Sequence, residues 1–217
     1  MKKTFLSLAG VLSLTIASAQ FDASQLTVGV AGNYHMYKGN MQKSAPGAHV
    51  RLGYDLSEKS TIGLGFTYTS PLKYASEVQL MDQSGSTSSV ASEITYKFKT
   101  FSLMGNYHLI GDNETSGSLY AAVGGGYVMV NYEENITGTY DKDSQQPMDL
   151  VEKGSENGLV MNFGLGGQYT IGRPIVFAEA GLALPANKVG NQYVENSIPS
   201  HFTFNLGIKL PLGSRDY

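Results

Sequence analysis

Hydrophobic and polar positions alternate cleanly in SHFTFNLGIKLPL (200–212). Phe202, Phe204, Leu206, Ile208, Leu210 and Leu212 fall at every second position, with His201, Thr203, Asn205, Gly207 and Lys209 between them. A period of two predicts a strand with one apolar and one polar face. Seven earlier runs share it. Run 25–37 carries Leu26, Val28, Val30, Tyr34 and Met36. Run 47–56 carries Ala48, Val50, Leu52, Tyr54 and Leu56, and run 60–70 carries Ile62, Leu64, Phe66 and Tyr68. Run 92–109 carries Ile94, Tyr96 and Phe98, then Phe101, Leu103, Tyr107 and Leu109. Its phase slips near Thr100, which predicts a bulge or bend. Run 118–132 is built around Gly124, Gly125 and Gly126 and leaves its facing open. Run 158–170 carries Leu159, Met161, Phe163, Leu165 and Tyr169, and run 174–185 carries Val176, Ala178, Ala180, Leu182 and Leu184.

Proline respects these boundaries. Pro46, Pro71, Pro174, Pro185 and Pro199 stand at run edges, Pro147 in a polar loop, and only Pro211 inside a run. The connections sort by length. Those after runs 1, 3, 5 and 7 are about 9, 21, 25 and 14 residues; those after runs 2, 4 and 6 are about 3, 8 and 3. Outer-membrane barrels alternate long external loops with short periplasmic turns in this way. GYDL (53–56), GNYHL (105–109) and GQYTI (167–171) end three runs alike and place Tyr54, Tyr107 and Tyr169 beside the short turns. Tyrosine suits a membrane–water interface there, and Tyr34, Tyr68 and Phe202 would form the opposite belt.

The polar face collects Gly29, Gly53, Gly63, Gly65, Gly164, Gly166, Gly181 and Gly207, with Arg51, Glu179 and Lys209 as its charges. A base pointed into lipid at mid-membrane costs about 2–4 kcal/mol, so this face is expected inside. The opposite arrangement, a soluble lipocalin-type barrel with its apolar face inward, leaves the loop sorting and the tyrosine levels without a cause.

MKKTFLSLAGVLSLTIASAQ opens with Lys2 and Lys3, continues with an apolar run and ends in Ala17-Ser18-Ala19. It reads as a secretory signal over 1–19, with the mature domain over 20–217. Removing Lys2 and Lys3 from the 15 basic residues leaves 13 against 18 acidic ones, a net charge of −5 with no basic patch, which argues against nucleic acid. The chain has no cysteine, and no later segment is apolar enough for a transmembrane helix, so a membrane form must be a β-barrel.

With LYAAVGGGY (119–127), NFGLGGQY (162–169) and HFTFNLGIKLPLG (201–213), the eight runs resemble the outer-membrane β-barrel domain of OmpA-like and OmpX-like proteins, and the ASAQ ending resembles signals of Bacteroidota. The resemblance implies an all-β, eight-stranded antiparallel up-and-down transmembrane barrel in the bacterial outer membrane, both termini periplasmic. It departs at the end of the chain. Many members finish the last strand on an aromatic residue, whereas here Leu212 ends the alternation and Tyr217 is out of phase. No peptidoglycan-binding domain is expected after the barrel.

Three histidines, His35, His49 and His201, are expected on the inner face near the external rim, as lumen polar groups or, alternatively, a metal or base site. His108 stands alone near the other end. No Ser/His/acid constellation is evident, SGSTSSVAS (84–92) reads as a flexible loop, and no cofactor is implied. The stretch 133–157 holds Glu133, Glu134, Asp141, Asp143, Asp149, Glu152 and Glu156 without EF-hand spacing and reads as a solvated acidic loop. Asn113 and Asn135 begin glycosylation-type triplets of no expected use in bacteria. Glu179 is expected opposite about residue 206, bonded to Lys209, Arg51 or both, in a network that plugs the lumen. The expected role is a non-enzymatic, pore-less, monomeric surface protein. Its partners would be outer-membrane lipid, lipopolysaccharide and a protein at the external loops. The alternatives are a barrel enzyme acting on lipid A or peptides and a subunit of a secretion or uptake complex.

Overall fold

The computed structural model describes residues 22–38, 43–151, 153–186 and 198–213, so the expected signal over 1–19 and Tyr217 lie outside the described residues. A 3-10 turn (Ala23–Gln25) leads into β1 (Leu26–Tyr37), β2 (Ser44–Ser57), β3 (Ser60–Asp82), β4 (Thr87–Ile110), β5 (Gly117–Ile136), β6 (Gln145–Pro147), β7 (Gly154–Thr170), β8 (Ile175–Pro185) and β9 (His201–Pro211). Every pairing is antiparallel. β1 pairs with both β2 and β9, and β2 with β3 as well, so each of the eight long strands has two neighbours. Among the described residues the count is nine rather than the expected eight, because three residues of the stretch read as acidic loop, Pro147 included, pair along the outer end of β3.

The short connections turn tightly where the sequence supplies glycine: Gly111 and Gly172 have φ of 70° and 64°. On the strands the facing follows parity. Val28, Val30, Leu52, Leu64, Leu103, Phe163, Phe204 and Leu206 are exposed outward, while Asn33, Arg51, Thr67, Asn106 and Lys209 are buried on the inner side.

β3 and β4 correct three expectations. They span 23 and 24 residues, whereas about 9–11 suffice to cross a bilayer. The supposed loop 71–91 is a continuous hairpin that turns only between Asp82 and Thr87, and Ser88–Ser92 are strand. Its inward side chains explain this. Leu72 joins Tyr37, Tyr96, Phe98, Val130 and Tyr132 in an apolar cluster, and Val78, Leu80 and Val90 form a second one nearer the tip. Finally, β4 has no bulge at Thr100. Its pairing with β5 runs unbroken from Ser92↔Ile136 to His108↔Tyr120. The bulge is on β3 between Thr69 and Leu72, where Pro71 has no N–H to offer a ladder.

The phase slip read near Thr100 is a change of chemistry at constant facing. On the short-turn side of Phe101, outward positions are apolar (Phe101, Leu103, Tyr107) and inward ones polar (Thr100, Ser102, Asn106). Beyond it, inward positions are apolar (Phe98, Tyr96) and outward ones charged (Lys99, Lys97, Glu93). β5 inverts one outward position further on. Tyr127, opposite Phe101, and Met129, opposite Lys99, are its last large apolar outward residues before Asn131 and Glu133, while Val128, Val130 and Tyr132 turn inward. That settles the facing of the fifth run.

Candidate functional site

The ring interior is filled in layers. Arg51 on β2 reaches Glu179 on β8, with Nη1 2.7 Å from Oε1. The Tyr120 hydroxyl donates to the same oxygen at 2.7 Å, and Asn205 Nδ2 to Oε2 at 3.3 Å. Glycines make the room. Gly166 lies opposite both Tyr120 and Glu179, and a Cβ on it would stand 2.5 Å from the Tyr120 ring. Arg51 pairs in register with Gly29 and Gly65.

Glu179 stands opposite Asn205 rather than residue 206. Directly opposed residues share a face, so an inward Glu179 needs an odd-numbered partner, and Leu206 points outward. Lys209 lies four residues further along β9, opposite Ile175. Its ammonium donates to Gln168 Oε1 at 2.7 Å and sits over the rings of Phe177 and Tyr120, at 5.0 and 5.3 Å. The sequence reading missed Tyr120, Gln168 and Phe177. Tyr120 was hidden by the open facing of its run; the parity of runs 158–170 and 174–185 already placed Gln168 and Phe177 inside.

Towards the short turns, Thr61 donates to Asp55 at 2.7 Å, and His108, apart from the other three histidines, has Nδ1 2.9 Å from Ser118 Oγ. Asn113 is buried and donates to the Ser57 carbonyl at 3.1 Å. A glycan could not be attached there without unfolding the turn.

Above Arg51 the interior opens into a cavity of about 90 Å³, lined among others by Asn33, His35, His49, His201, Thr203 and Asn205. The three histidines do not form one cluster. His49 lies opposite Ala31, well below His35, and bonds Thr67 Oγ1 at 2.9 Å through Nδ1. His35 and His201 are adjacent, with ring centroids 5.2 Å apart. Over the cavity sits the apolar cluster of Tyr37, Leu72, Tyr96, Phe98, Val130, Tyr132 and Ile198. Among the described residues no group of three His, Cys, Asp or Glu side chains is placed to hold a metal ion.

The acidic stretch is less solvated than its composition suggests. Glu134 is buried, accepts from the Ser92 hydroxyl and takes the Val151 N–H at 3.0 Å. Asp149 accepts from the Gln79 N–H at 2.7 Å, and Glu133 faces Lys97 at 3.5 Å. Turn carboxylates cap backbone. Asp82 accepts from Ser84 N and Ser86 N, each at 2.8 Å, and Asp112 from Glu114 N and Thr115 N. Hydrogen bonds from Ser84 and from Thr115 hold the two carboxyls below the usual range. Asp141 is lowered in the same way by Ser144 and Asp143.

Tyr107 and Tyr169 are exposed outward beside the short turns, and Tyr54 is half-buried at the same end. Tyr34, Tyr68 and Phe202 are exposed at the other.

No family model matches the chain, and no curated protein matches it. Among the solved structures similar to it, two align over most of both chains. Neisserial surface protein A aligns over 86% of this chain and 97% of its own, with 9% identity and a TM-score of 0.50. A major outer membrane protein from Thermus thermophilus aligns over 85% and 98%, with 11% identity and a TM-score of 0.55. The likeness is one of fold: the chain is an all-β antiparallel sheet resembling those of barrel-forming outer-membrane proteins.

Proposed function

We propose that the chain is a closed eight-stranded outer-membrane barrel, exported by a signal over 1–19. It has no enzymatic activity, and its sealed interior supports a folded external platform made by β3, β4, β5 and β6. The observation that carries this reading is the inversion just beyond Phe101 on β4 and Met129 on β5, where the polarity of both faces exchanges without any break in register. A strand in one solvent has no reason to do this. A strand leaving hydrocarbon for water must, because its outer face then meets water and its inner face becomes a protein core. Lipid, including lipopolysaccharide, would cover the band below the inversion, with Tyr54, Tyr107 and Tyr169 at one interface and Tyr34, Tyr68 and Phe202 at the other. A protein partner would meet the platform. At membrane level every strand has both neighbours, so the barrel works as a monomer.

The chain contains no cysteine, so single cysteines can be introduced one at a time. In native membranes a membrane-impermeant maleimide should label cysteine at Lys97 or Glu133 and spare it at Leu103 or Val123. Equal labelling at all four would remove the membrane reading.

A further inference from the structure

His35 is an inward residue of β1 with 6% exposure, and neither of its ring nitrogens has a hydrogen-bond partner. Each unmet group of a buried imidazole carries its full desolvation cost unless something else occupies the site. His201 belongs to the neighbouring β9, opposite Tyr37 and diagonal to His35. Its Nδ1 lies 3.1 Å from the Pro199 carbonyl oxygen. A carbonyl only accepts, so Nδ1 carries the proton and Nε2 keeps its lone pair. Metal-ligating histidines are commonly oriented by such a bond.

We infer that His35 and His201 form a two-imidazole site for a late first-row divalent cation of the Zn²⁺ or Cu²⁺ class. The spacing fits. An imidazole nitrogen binds such a metal at about 2.0–2.1 Å, which puts the ring centroid about 3.2 Å from it, and two rings on one tetrahedral centre are then about 5 Å apart. The observed separation is 5.2 Å. Imidazole selects these cations over Ca²⁺ and Mg²⁺. Two further ligands would be oxygens: the buried Asn33 Oδ1, which also lacks a partner, lines the same cavity, as does Thr203, which faces His35, and there is room for solvent. Tyr37 packs on both imidazoles, at 5.9 Å from His35 and 4.9 Å from His201, and Phe98 packs on Tyr37, so the external side is shielded from water. The carboxylate of Glu179 is committed to Arg51, so the site carries no negative charge, and reversible rather than permanent loading follows. His49, held by Thr67 on a lower level, is not a ligand. This inference stands apart from the membrane reading, since either can fail alone.

The test is Cu²⁺ added during refolding of the protein in detergent, with uptake measured by equilibrium dialysis and coordination by electron paramagnetic resonance. One Cu²⁺ per chain with a two-nitrogen signature is expected. His35→Gln and His201→Gln should each weaken uptake by about tenfold or more, and His49→Gln should leave it unchanged. Absence of stoichiometric uptake, a wild-type spectrum without two nitrogens, or uptake by His35→Gln or His201→Gln equal to that of wild type would each overturn the site. The wild-type spectrum decides the matter even where a variant fails to refold.

Discussion

Arg51 on β2 and Glu179 on β8 meet at 2.7 Å, three strands apart round the ring. Both side chains are buried, and Tyr120 and Asn205 also donate to the carboxylate, at Oε1 and Oε2 respectively. Such a pair is a weak source of net stability but expensive to break, because the survivor is left as an uncompensated charge. Glu179→Ala should therefore cost about 3–5 kcal/mol. Adding Arg51→Ala to it should cost much less than the sum of the two single changes, since the orphan is then removed. Urea unfolding in detergent reads both. Coincident midpoints for Glu179→Ala and wild type would mean that water, not protein, satisfies Glu179.

Gly166 is required by the close approach of Tyr120, not by its backbone angles. A Cβ there would press on the end of the Tyr120 ring at 2.5 Å. The ring is fully buried and its hydroxyl is fixed by Glu179, so it has little freedom to yield. Gly166→Ala is expected to cost about 1–3 kcal/mol as an overpacked position. Tyr120→Leu should remove the added penalty of Gly166→Ala while imposing its own. If Gly166→Ala unfolds at the wild-type midpoint, the packing around Tyr120 is looser than described.

The strand alternation carried most of the fold because one inward-facing parity persists along each strand up to a bulge. Val28, Leu52, Phe163 and Leu206 point where the period of two places them. The reading faltered where parity and polarity part company. In β4, Ile94, Tyr96 and Phe98 are apolar because they face a protein core, and Phe101 and Leu103 because they face outward. Hydrophobicity alone merges those two causes into a false bulge. Ser88–Ser92 looked like a loop because short polar side chains say little about whether a hydrogen-bonded neighbour exists. Arg51 and Glu179 stood out as charges on a small-residue face, but their contact depends on a distance across the interior that no local pattern encodes. His35 and His201 were separable from His49 only once register fixed their levels.

The layers predict the transport behaviour. Arg51, Glu179, Tyr120, Lys209, Gln168 and Phe177 occupy the middle of the ring, and the Tyr37–Phe98–Tyr132 cluster closes the external side. Eight strands enclose only enough space for side chains. Purified protein in planar bilayers should give no large, stable conductance. Stable openings of porin size would show that the interior rearranges in lipid.

The last expectation concerns acid. Asp82 ends β3, and its carboxylate holds the turn to β4 by accepting from Ser84 N, Ser84 Oγ and Ser86 N, while Gly85 takes a φ of 83°. Those bonds favour the ionised form and lower its pKa in the folded state. A carboxyl whose folded pKa is lowered contributes stability above its unfolded value of about 3.9, and that contribution is lost as pH falls through the folded pKa. The amides of Ser84 and Ser86 should therefore keep their protection from hydrogen exchange near neutrality. They should lose it in strong acid, at a pH below the titration of an ordinary aspartate, and before the strand amides of β4 respond. In Asp82→Ala the two amides should be unprotected already at neutral pH, with no further step on acidification. Protection of Ser84 and Ser86 that is indifferent to both acid and Asp82→Ala would show that the backbone, not the carboxylate, sets the turn.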